Sequence, residues 1–418
     1  MGMTLAEKLL AGASGRESVT AGEIVTAKVD VCMMDDSLGP RFIEKEFDRL
    51  GRRIWDRNGV VLIADHQTPS CVLEQAEIVA LTRRWAGREG VRYFEGCGPC
   101  HQILAENCCD LPGTVLVGTD SHTVTAGAFG CFGTGIGSTE AVGVMASGSI
   151  WFRVPESIKV LWNGKMQPGV MAKDLFLRTL RDVGHAGATY KAMEFSGDTI
   201  SAMSMDGRMC VSNMSVEAGA KVGLIAADSE TDRYLSAHGC RKPYVKLHPD
   251  ADAVYEKEYR YDASELVPQV SCPHAVDNVK DLSDVAGVPI QQAYLGSCTG
   301  GRMEDLTAAA HVLKGRKIAA GCRMLISPAS KQVLKEALAA GIIEIFIDAG
   351  ATLLPPTCGA CAGLHNGLLA AGENCVSATN RNFKGRMGSY ESNIYLASPA
   401  AVAAAAVTGA LTDPREFF

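Results

Sequence analysis

The sequence lacks an excess of positive charge, a long apolar run and an export signal. Its 418 residues include 47 acidic and 40 basic side chains, and the net charge of −7 disfavours general binding of nucleic acid. No apolar run reaches the roughly 18–20 residues that span a bilayer, so no membrane segment is predicted. The first ten residues, MGMTLAEKLL, do not have the pattern of a secretory signal, so we expect a cytoplasmic protein.

Cysteine is the unusual component of the composition, with 15 residues. An odd number in a chain of this length does not fit a secreted disulfide framework. In a reducing compartment, clustered cysteines more often bind metal or take part in redox chemistry, and single ones pack as small apolar residues. Two pairs are clustered, Cys97 with Cys100 in EGCGPCHQ and Cys358 with Cys361 in PTCGACAG.

Short apolar runs bounded by Gly, Pro and Asp alternate with helical patterns along the chain. The runs predicted to be buried strands are 60–66, 114–122, 157–164, 289–298, 323–329 and 344–350. Helices are predicted over 71–90, 330–341 and 400–411. The alternation predicts an α/β chain with mostly parallel sheets, in which the polar ends of strands meet at one sheet edge. The charged, proline-containing segment 247–274 is interpreted as a connector between domains.

Two motifs have alternative interpretations. Gly133, Gly135 and Gly137 are spaced as G-x-G-x-G rather than as G-x-G-x-x-G, so close backbone packing is favoured over a phosphate-binding loop. Cys97 and Cys100 have the spacing of a thioredoxin-type pair, which makes a thiol–disulfide oxidoreductase the alternative function from another class. We favour structural thiols beside the histidine that follows them.

Three cysteines are predicted to bind a metal centre. Cys358 and Cys361 follow a predicted strand, and two thiolates two residues apart can bind one centre from a single turn. Cys298, in YLGSCTGGR, ends another predicted strand. Three thiolates can hold three irons of a cubane cluster and leave the fourth iron open to substrate. The alternative is a structural zinc on the pair, with Cys298 as a buried thiol.

Histidines next to carboxylates predict acid–base chemistry. Asp65 and His66 end one predicted strand, Asp120 and His122 end another, and His101 opens a helical segment. A histidine beside a carboxylate can be held protonated near neutral pH and can donate a proton.

A local basic segment, 380–389 (NRNFKGRMGS), stands out in this acidic chain. Arg381 and Arg386 lie five residues apart within it, and arginine side chains suit bidentate binding of carboxylates. The segment therefore predicts a small polycarboxylate ligand, with a solvated loop as the alternative.

The motifs HQILAEN, GTDSHT, SNMSVEAGA, GSCTGGR, CGAC and NRNFKGR occur in this order along the chain. From about residue 20 to 415 the sequence resembles the aconitase superfamily, specifically its large subunits of the 3-isopropylmalate dehydratase and homoaconitase type. The resemblance implies three α/β domains around an iron–sulfur cluster. They are expected at 1–155, 156–270 and 271–418, with the cluster ligands in the third.

The resemblance also implies roles for individual residues. A [4Fe–4S] cluster would be held by Cys298, Cys358 and Cys361, and its fourth iron would act as a Lewis acid on the substrate hydroxyl. The implied catalytic residues are Asp65 and His66, which protonate the leaving hydroxyl, the pair His101–Asp120 and the pair His122–Glu217. The implied substrate-binding residues are Ser121, Asn213, Asn380, Arg381 and Arg386.

The implied reaction is the reversible dehydration of a 2-hydroxy di- or tricarboxylate, with 3-isopropylmalate as the first expected substrate. Homoaconitate, 2,3-dimethylmalate and maleate are the alternatives. Single-chain members of the family carry a fourth domain with a serine base and another arginine. This chain stops after the third, so we expect a separate small subunit and a hetero-oligomer. Some relatives bind RNA when they lose the cluster, but the negative net charge argues against that function here.

Two departures from the family pattern weaken the expectation of isopropylmalate. Residues 35–38 read Asp-Asp-Ser-Leu where the family usually has His-Asp-Gly-Thr. Cys298 is followed by Thr299 and Gly300, and asparagine is more usual at the second of these positions.

Overall fold

The structure is a computed structural model, and it describes residues 2–418. Contacts within the chain divide it into two compact units. Unit 1 comprises residues 2–95, 100–163 and 188–261, and unit 2 comprises 96–99, 164–187 and 262–418. The expected division into three domains stays a prediction.

Helices and strands alternate along most of the chain. The α-helices are α1 (Leu5–Ser14), α2 (Pro40–Leu50), α3 (Leu73–Glu89), α4 (Cys100–Glu106), α5 (Ser138–Ser147), α6 (Ala172–Val183), α7 (Asp198–Ala202), α8 (Met205–Met214), α9 (Ser229–Ala237), α10 (Ser297–Gly300), α11 (Met303–Leu313), α12 (Lys331–Ala339), α13 (Ile342–Ala349) and α14 (Pro399–Thr408). The strands are β1 (Ile24–Lys28), β2 (Val31–Asp35), β3 (Val60–Ala64), β4 (Arg92–Glu95), β5 (Val115–Gly118), β6 (Phe132–Gly135), β7 (Ser149–Arg153), β8 (Ser157–Asn163), β9 (Ala192–Ser196), β10 (Val222–Ile225), β11 (Lys257–Asp262), β12 (Gln269–Ser271), β13 (Val279–Asp281), β14 (Gln292–Gly296), β15 (Arg323–Ser327), β16 (Thr352–Leu353), β17 (Asn374–Ser377) and β18 (Asn393–Ala397). The predicted α/β class is confirmed.

Unit 1 is built on a parallel five-stranded sheet with the order β4-β3-β2-β5-β6. A four-stranded sheet, β10-β9-β8-β11, and an antiparallel pair of β1 with β7 complete its strands. The central strands β2 and β3 are buried along their whole length, as expected for a parallel sheet covered on both faces. Helices α1, α2, α3 and α5 contribute apolar side chains to the core that contacts this sheet.

Unit 2 is built on a seven-stranded sheet with the order β13-β12-β18-β17-β14-β15-β16. Strands β18 to β16 in this order are parallel, and β12 is antiparallel to both of its neighbours. Helix α14 packs within the core of this unit, and its run of alanines is fully buried. Small side chains permit this close approach, as the sequence predicts.

The structure corrects two sequence expectations. The run 344–350 is predicted as a strand, but 344–349 lie in helix α13 and Gly350 caps its end. The buried residues Ile342, Ile343, Phe346 and Ala349 follow a helical spacing. The short strand β16 follows that helix and precedes the Cys-x-x-Cys motif. The segment 247–274, predicted as a connector, contains strands β11 and β12. Among residues 2–418, no helix combines the length and the apolar character needed to cross a bilayer.

Candidate functional site

Three neighbouring strands of the parallel sheet in unit 1 end in acidic residues. Strand β2 lies between β3 and β5 and ends at Asp35, which Asp36 follows. Asp65 comes directly after β3, and Asp120 comes two residues after β5. Since the carboxyl ends of parallel strands meet at one sheet edge, four carboxylates converge there.

His66 is the first histidine at this edge. Its Nδ1 atom lies 2.8 Å from Oδ1 of Asp65, and Oδ2 of Asp65 accepts the backbone N–H of Cys100 at 2.7 Å. Burial acts to lower the pKa of His66, but the charges of Asp65, Asp35 and Asp120 outweigh it and raise this pKa well above its usual value. This shift favours the protonated form of His66, which can donate a proton.

Asp120 is bonded to two other histidines. Its Oδ1 atom lies 2.8 Å from Nε2 of His101 and accepts the backbone N–H of His122 at 2.7 Å. Its Oδ2 atom lies 3.7 Å from Nε2 of His66. Burial acts to raise the pKa of Asp120, but the charge and hydrogen bond of His101 and the contacts of His122 hold it well below its usual value. The half-buried carboxylate of Asp120 thus lies close to three histidines.

The third histidine is paired with a glutamate from another element. Nε2 of His122 lies 2.9 Å from Oε1 of Glu217, and both side chains are buried. Ser121 is half-buried, with Oγ 3.5 Å from Nδ1 of His122. Asn213 is fully buried and donates to Oγ1 of Thr125 at 2.8 Å. We call the following six residues the histidine–carboxylate cluster: Asp65, His66, His101, Asp120, His122 and Glu217.

Sequence reasoning missed a part of this edge. Asp36 accepts the backbone N–H groups of His66 and Gln67 at 3.0 and 2.9 Å, and burial together with the charge of Asp65 raises its pKa to about 6. Asp35 accepts the hydroxyl of Thr119 at 2.6 Å. The sequence singled out both aspartates only within the segment 35–38, where Asp35 departs from the family pattern and Asp36 keeps it. Strand β2, which ends at Asp35, is not among the predicted strands, so the rule that polar residues collect at strand ends did not reach them.

The three predicted ligand cysteines lie in unit 2, and we call them the thiol cluster. Cys298 is in α10, directly after β14, while Cys358 and Cys361 lie around the 3₁₀ turn Gly359–Ala362. Cys298 and Cys361 are buried and Cys358 is half-buried. The side chain of Asn380 contacts two of the sulfurs, since its Nδ2 atom lies 3.9 Å from Sγ of Cys298 and its Oδ1 atom lies 3.7 Å from Sγ of Cys361.

A buried lysine that the sequence did not reveal supports the backbone before Asn380. Lys173 is 1% exposed, and its ammonium group donates to the carbonyls of Ala378, at 2.8 Å, and Thr379. The departure at Gly300 has a physical cause here, because a Cβ at this position would lie 2.5 Å from Cβ of Ala378. An asparagine would not fit at this point without a shift of the backbone.

The predicted arginines lie in the loop between β17 and β18. Arg381 and Arg386 are both half-buried. Between them, the fully buried Asn382 donates to the carbonyl of Cys272 at 2.8 Å, which ties the loop to the residue after β12. The hydrogen bond of Asn382 thus holds this loop against the residue that follows β12.

The structure also locates the glycine motif and the Cys97–Cys100 motif, for which the sequence left alternative interpretations open. Gly133 lies in β6, and a Cβ there would lie 2.6 Å from the carbonyl oxygen of Thr123, which agrees with close backbone packing. Cys100 is buried in the first turn of α4, with its sulfur 3.5 Å from Nε2 of His101, and Cys97 belongs to unit 2.

Hydrogen-bonded histidine–carboxylate pairs at the edge of a parallel sheet are an arrangement typical of an acid–base enzyme. Comparison with known proteins identifies the family. The model of the aconitase family (aconitate hydratase) matches residues 17–409, and the chain belongs to this family of dehydratases.

Relatives align with this chain along its full length. It is 47% identical over 420 residues to the 3-isopropylmalate dehydratase large subunit of Thermodesulfovibrio yellowstonii, covering 100% of this chain and 99% of the relative. It is 47% identical over 417 residues to the probable 3-isopropylmalate dehydratase large subunit of Methanothermobacter thermautotrophicus, covering 99% of each. A 3-isopropylmalate dehydratase large subunit 1 of Pyrococcus furiosus is 46% identical over 421 residues, again covering 99% of each.

Proposed function

We propose that this chain is the large, cluster-bearing subunit of a hydro-lyase that reversibly dehydrates 3-isopropylmalate. The observation that carries this proposal is the similarity, over practically the whole of both chains, to relatives named as large subunits of that enzyme. The two departures from the family pattern do not weigh against it. Gly300 is explained by local packing, and Asp35 keeps an ionisable group at the sheet edge.

The thiol cluster fits a [4Fe–4S] cluster better than a single zinc ion. The donor set is three soft thiolates, which suit iron–sulfur clusters. Four thiolates around one zinc ion lie roughly 4 Å apart, since each Zn–S bond is about 2.3 Å long. Within residues 2–418, however, no three cysteines bring their sulfurs within 4.8 Å of one another. Cys298, Cys358 and Cys361 would hold the cluster.

When bound, the cluster supplies a Lewis acid for the substrate hydroxyl. Residues of the chain protonate the leaving hydroxyl and position the substrate, and the family resemblance implies that the serine base that takes the carbon-bound proton comes from the small subunit. The imidazolium of His66 donates a proton to the leaving hydroxyl, and Asp65 holds the ring and stabilises its charged form. Asp120 orients His101, and Glu217 does the same for His122. Arg381 and Arg386 would bind a substrate carboxylate.

We further propose that activity requires a separate small subunit. The term "large subunit" in the relatives' names supports this partner. With a partner, we expect a hetero-oligomer in which this chain supplies the histidine–carboxylate cluster and the thiol cluster.

The test is anaerobic reconstitution of the purified chain with iron and sulfide, followed by assay with and without the small subunit from its own genome. The substrates are 3-isopropylmalate, homoaconitate, 2,3-dimethylmalate and maleate. We expect iron and sulfide to bind, and turnover of 3-isopropylmalate only with the partner. The His66→Asn variant serves as the inactive control. One tightly bound zinc ion without iron would overturn the cluster, and preferred turnover of another acid would overturn the substrate.

A further inference from the structure

A cavity of about 290 Å³ opens beside Ser121 in unit 1. One side of it is formed by the 3₁₀ segment Ser121–Phe129, which follows Asp120 of the histidine–carboxylate cluster. Its apolar wall includes Val124, Ile136 and Val216, and Lys221 also lines it. The roles proposed above leave this cavity unused.

Lys221 is the cation among the described residues that line the cavity, and its side chain is half-buried. Its Nζ atom donates to the carbonyl of Gly135 over a long distance of 3.4 Å. The rings of Phe152 and Tyr190 lie 5.5 and 5.6 Å from the ammonium group. An ammonium group has three N–H donors. One long hydrogen bond and two aromatic rings only weakly replace the water molecules that would otherwise hydrate it.

The partial loss of hydration at this ammonium group affects the pKa of Lys221. Burial lowers the pKa of Lys221, although the charge of Glu140 acts in the opposite direction. A carboxylate placed against Nζ would offset the lost hydration, because charge-assisted hydrogen bonds are among the stronger polar contacts in proteins.

Glu140 limits what the cavity can accept. Its carboxylate accepts the backbone N–H of Gly137 at the start of α5, at 2.8 Å, so it stays on the cavity lining. A second negative charge on the ligand would be repelled there. The chemistry of the lining therefore fits one carboxylate near Lys221, with an uncharged alkyl group against the apolar wall.

We propose that this cavity is a specificity subsite that binds one carboxylate of the substrate through Lys221 and its alkyl branch through Val124, Ile136 and Val216. The proposal rests on the function proposed above and refines it by identifying the determinants for a branched hydroxy dicarboxylate. Ser121, at the cavity edge, would connect the subsite to the histidine–carboxylate cluster.

The first test measures binding without catalysis. The reconstituted chain with its partner is labelled with limiting acetic anhydride, and lysine modification is read from peptide masses with and without saturating 3-isopropylmalate or succinate. We expect either acid to slow labelling of Lys221 roughly 5-fold or more, while the exposed Lys45 on α2 is unchanged in the same sample. Unchanged labelling of Lys221 with both acids would overturn the subsite.

The second test separates binding from chemistry. In the holoenzyme, Lys221→Met should raise KM for 3-isopropylmalate roughly 10- to 100-fold and change kcat by less than about 3-fold. Lys221→Arg should restore part of the loss, and Lys45→Met should behave as the parent. An unchanged KM in a folded Lys221→Met variant would overturn the proposal, since a structural role would lower the melting temperature and leave KM intact.

The two proposals fail in different ways. If the parent enzyme does not turn over 3-isopropylmalate but succinate still protects Lys221, the proposed function is wrong and the carboxylate subsite stands. If the parent turns over 3-isopropylmalate and Lys221 is neither protected nor needed for a low KM, the subsite is wrong and the function stands.

Discussion

The histidine–carboxylate cluster of unit 1 and the thiol cluster of unit 2 are held in different ways. In the first, the bonds of Asp65, Asp120 and Glu217 to their histidines are 2.7–2.9 Å long. In the second, the contacts of Asn380 with two sulfurs are 3.7 and 3.9 Å long, and thiols are weak partners. The difference teaches that hydrogen bonds within the protein set the acid–base geometry of unit 1, whereas the proposed iron would add strong bonds to the thiol cluster.

Loss of a thiolate is expected to have the largest effect. Cys298→Ser replaces a soft ligand by a hard one, so we expect loss of iron and a fall in activity of roughly 10³-fold or more. Iron and sulfide counts with the visible spectrum measure the first effect.

Cys322→Ser is the matched control, since Cys322 is a half-buried cysteine of unit 2 outside the thiol cluster. It should retain iron and activity. Full iron content in Cys298→Ser would contradict the ligand assignment.

The variant Asp65→Asn changes the histidine–carboxylate cluster and leaves the three cysteines of the thiol cluster in place. It removes the largest contribution that raises the pKa of His66, so this pKa should fall. His66 must be protonated to act as an acid, and activity is lost as pH rises through its pKa. The alkaline limb of the pH–rate profile should therefore move to lower pH, with activity at pH 8 reduced roughly 10²- to 10⁴-fold.

Iron content in Asp65→Asn should equal that of the parent. The exposed Asp56 provides a control, and Asp56→Asn should leave both the profile and the iron content unchanged. An alkaline limb that does not move in Asp65→Asn would show that Asp65 does not set the protonation of His66.

The sequence predicted the strand ends of unit 1 because apolar runs followed by polar residues carry that information locally. The runs at 60–66 and 114–122 contain β3 and β5, and the residues that follow these strands lie together as expected. The run at 344–350 was misjudged because a short apolar run fits a strand or a helix equally well. Only the burial spacing in α13 decides between them.

Other parts of the candidate site depend on contacts between distant residues. Nothing near Lys173 in the sequence indicates that its ammonium group binds two carbonyls more than 200 residues away. Asp36 likewise becomes part of the sheet edge only because β2 is placed between β3 and β5. The catalytic roles come from the family resemblance and stay predictions.

A substitution at Lys173 should weaken the thiol cluster without removing any of its cysteines. Lys173→Met removes the buried donor to the carbonyl of Thr379 and leaves the carbonyl of Ala378 with the hydroxyl of Thr299, at a cost of roughly 1–3 kcal/mol for an unsatisfied buried group. We expect a loss of about 3 kcal/mol in the free energy of unfolding and slower retention of iron under a chelator. Lys165→Met, at an exposed position of the same unit, should match the parent in both. Unchanged iron retention would show that the backbone before Asn380 does not support the thiol cluster.

The prediction with the smallest expected effect tests what keeps a carboxylate of unit 1 in its charged form. Asp120 is half-buried and Asp110 is buried in this unit, but Asp120 has histidine partners and Oδ1 of Asp110 has no hydrogen-bond partner among residues 2–418. Burial accordingly raises the pKa of Asp110 to about 8, from 3.8. The folded state then holds a proton that the unfolded chain has released, so this group lowers stability as pH rises from about 4 to about 8.

Asp110→Asn removes that dependence on pH. The difference in unfolding free energy between variant and parent should therefore grow by about 1 kcal/mol per pH unit between pH 6 and 8, measured by urea denaturation at each pH. The exposed Asp262 is the control, because hydrogen bonds from Ser264 lower its pKa and any change it causes falls at more acidic pH. A constant difference for Asp110→Asn would mean that Asp110 is charged in the fold. The histidines would then not be what distinguishes Asp120, and the contrast between partnered and unpartnered carboxylates would fail within unit 1 itself.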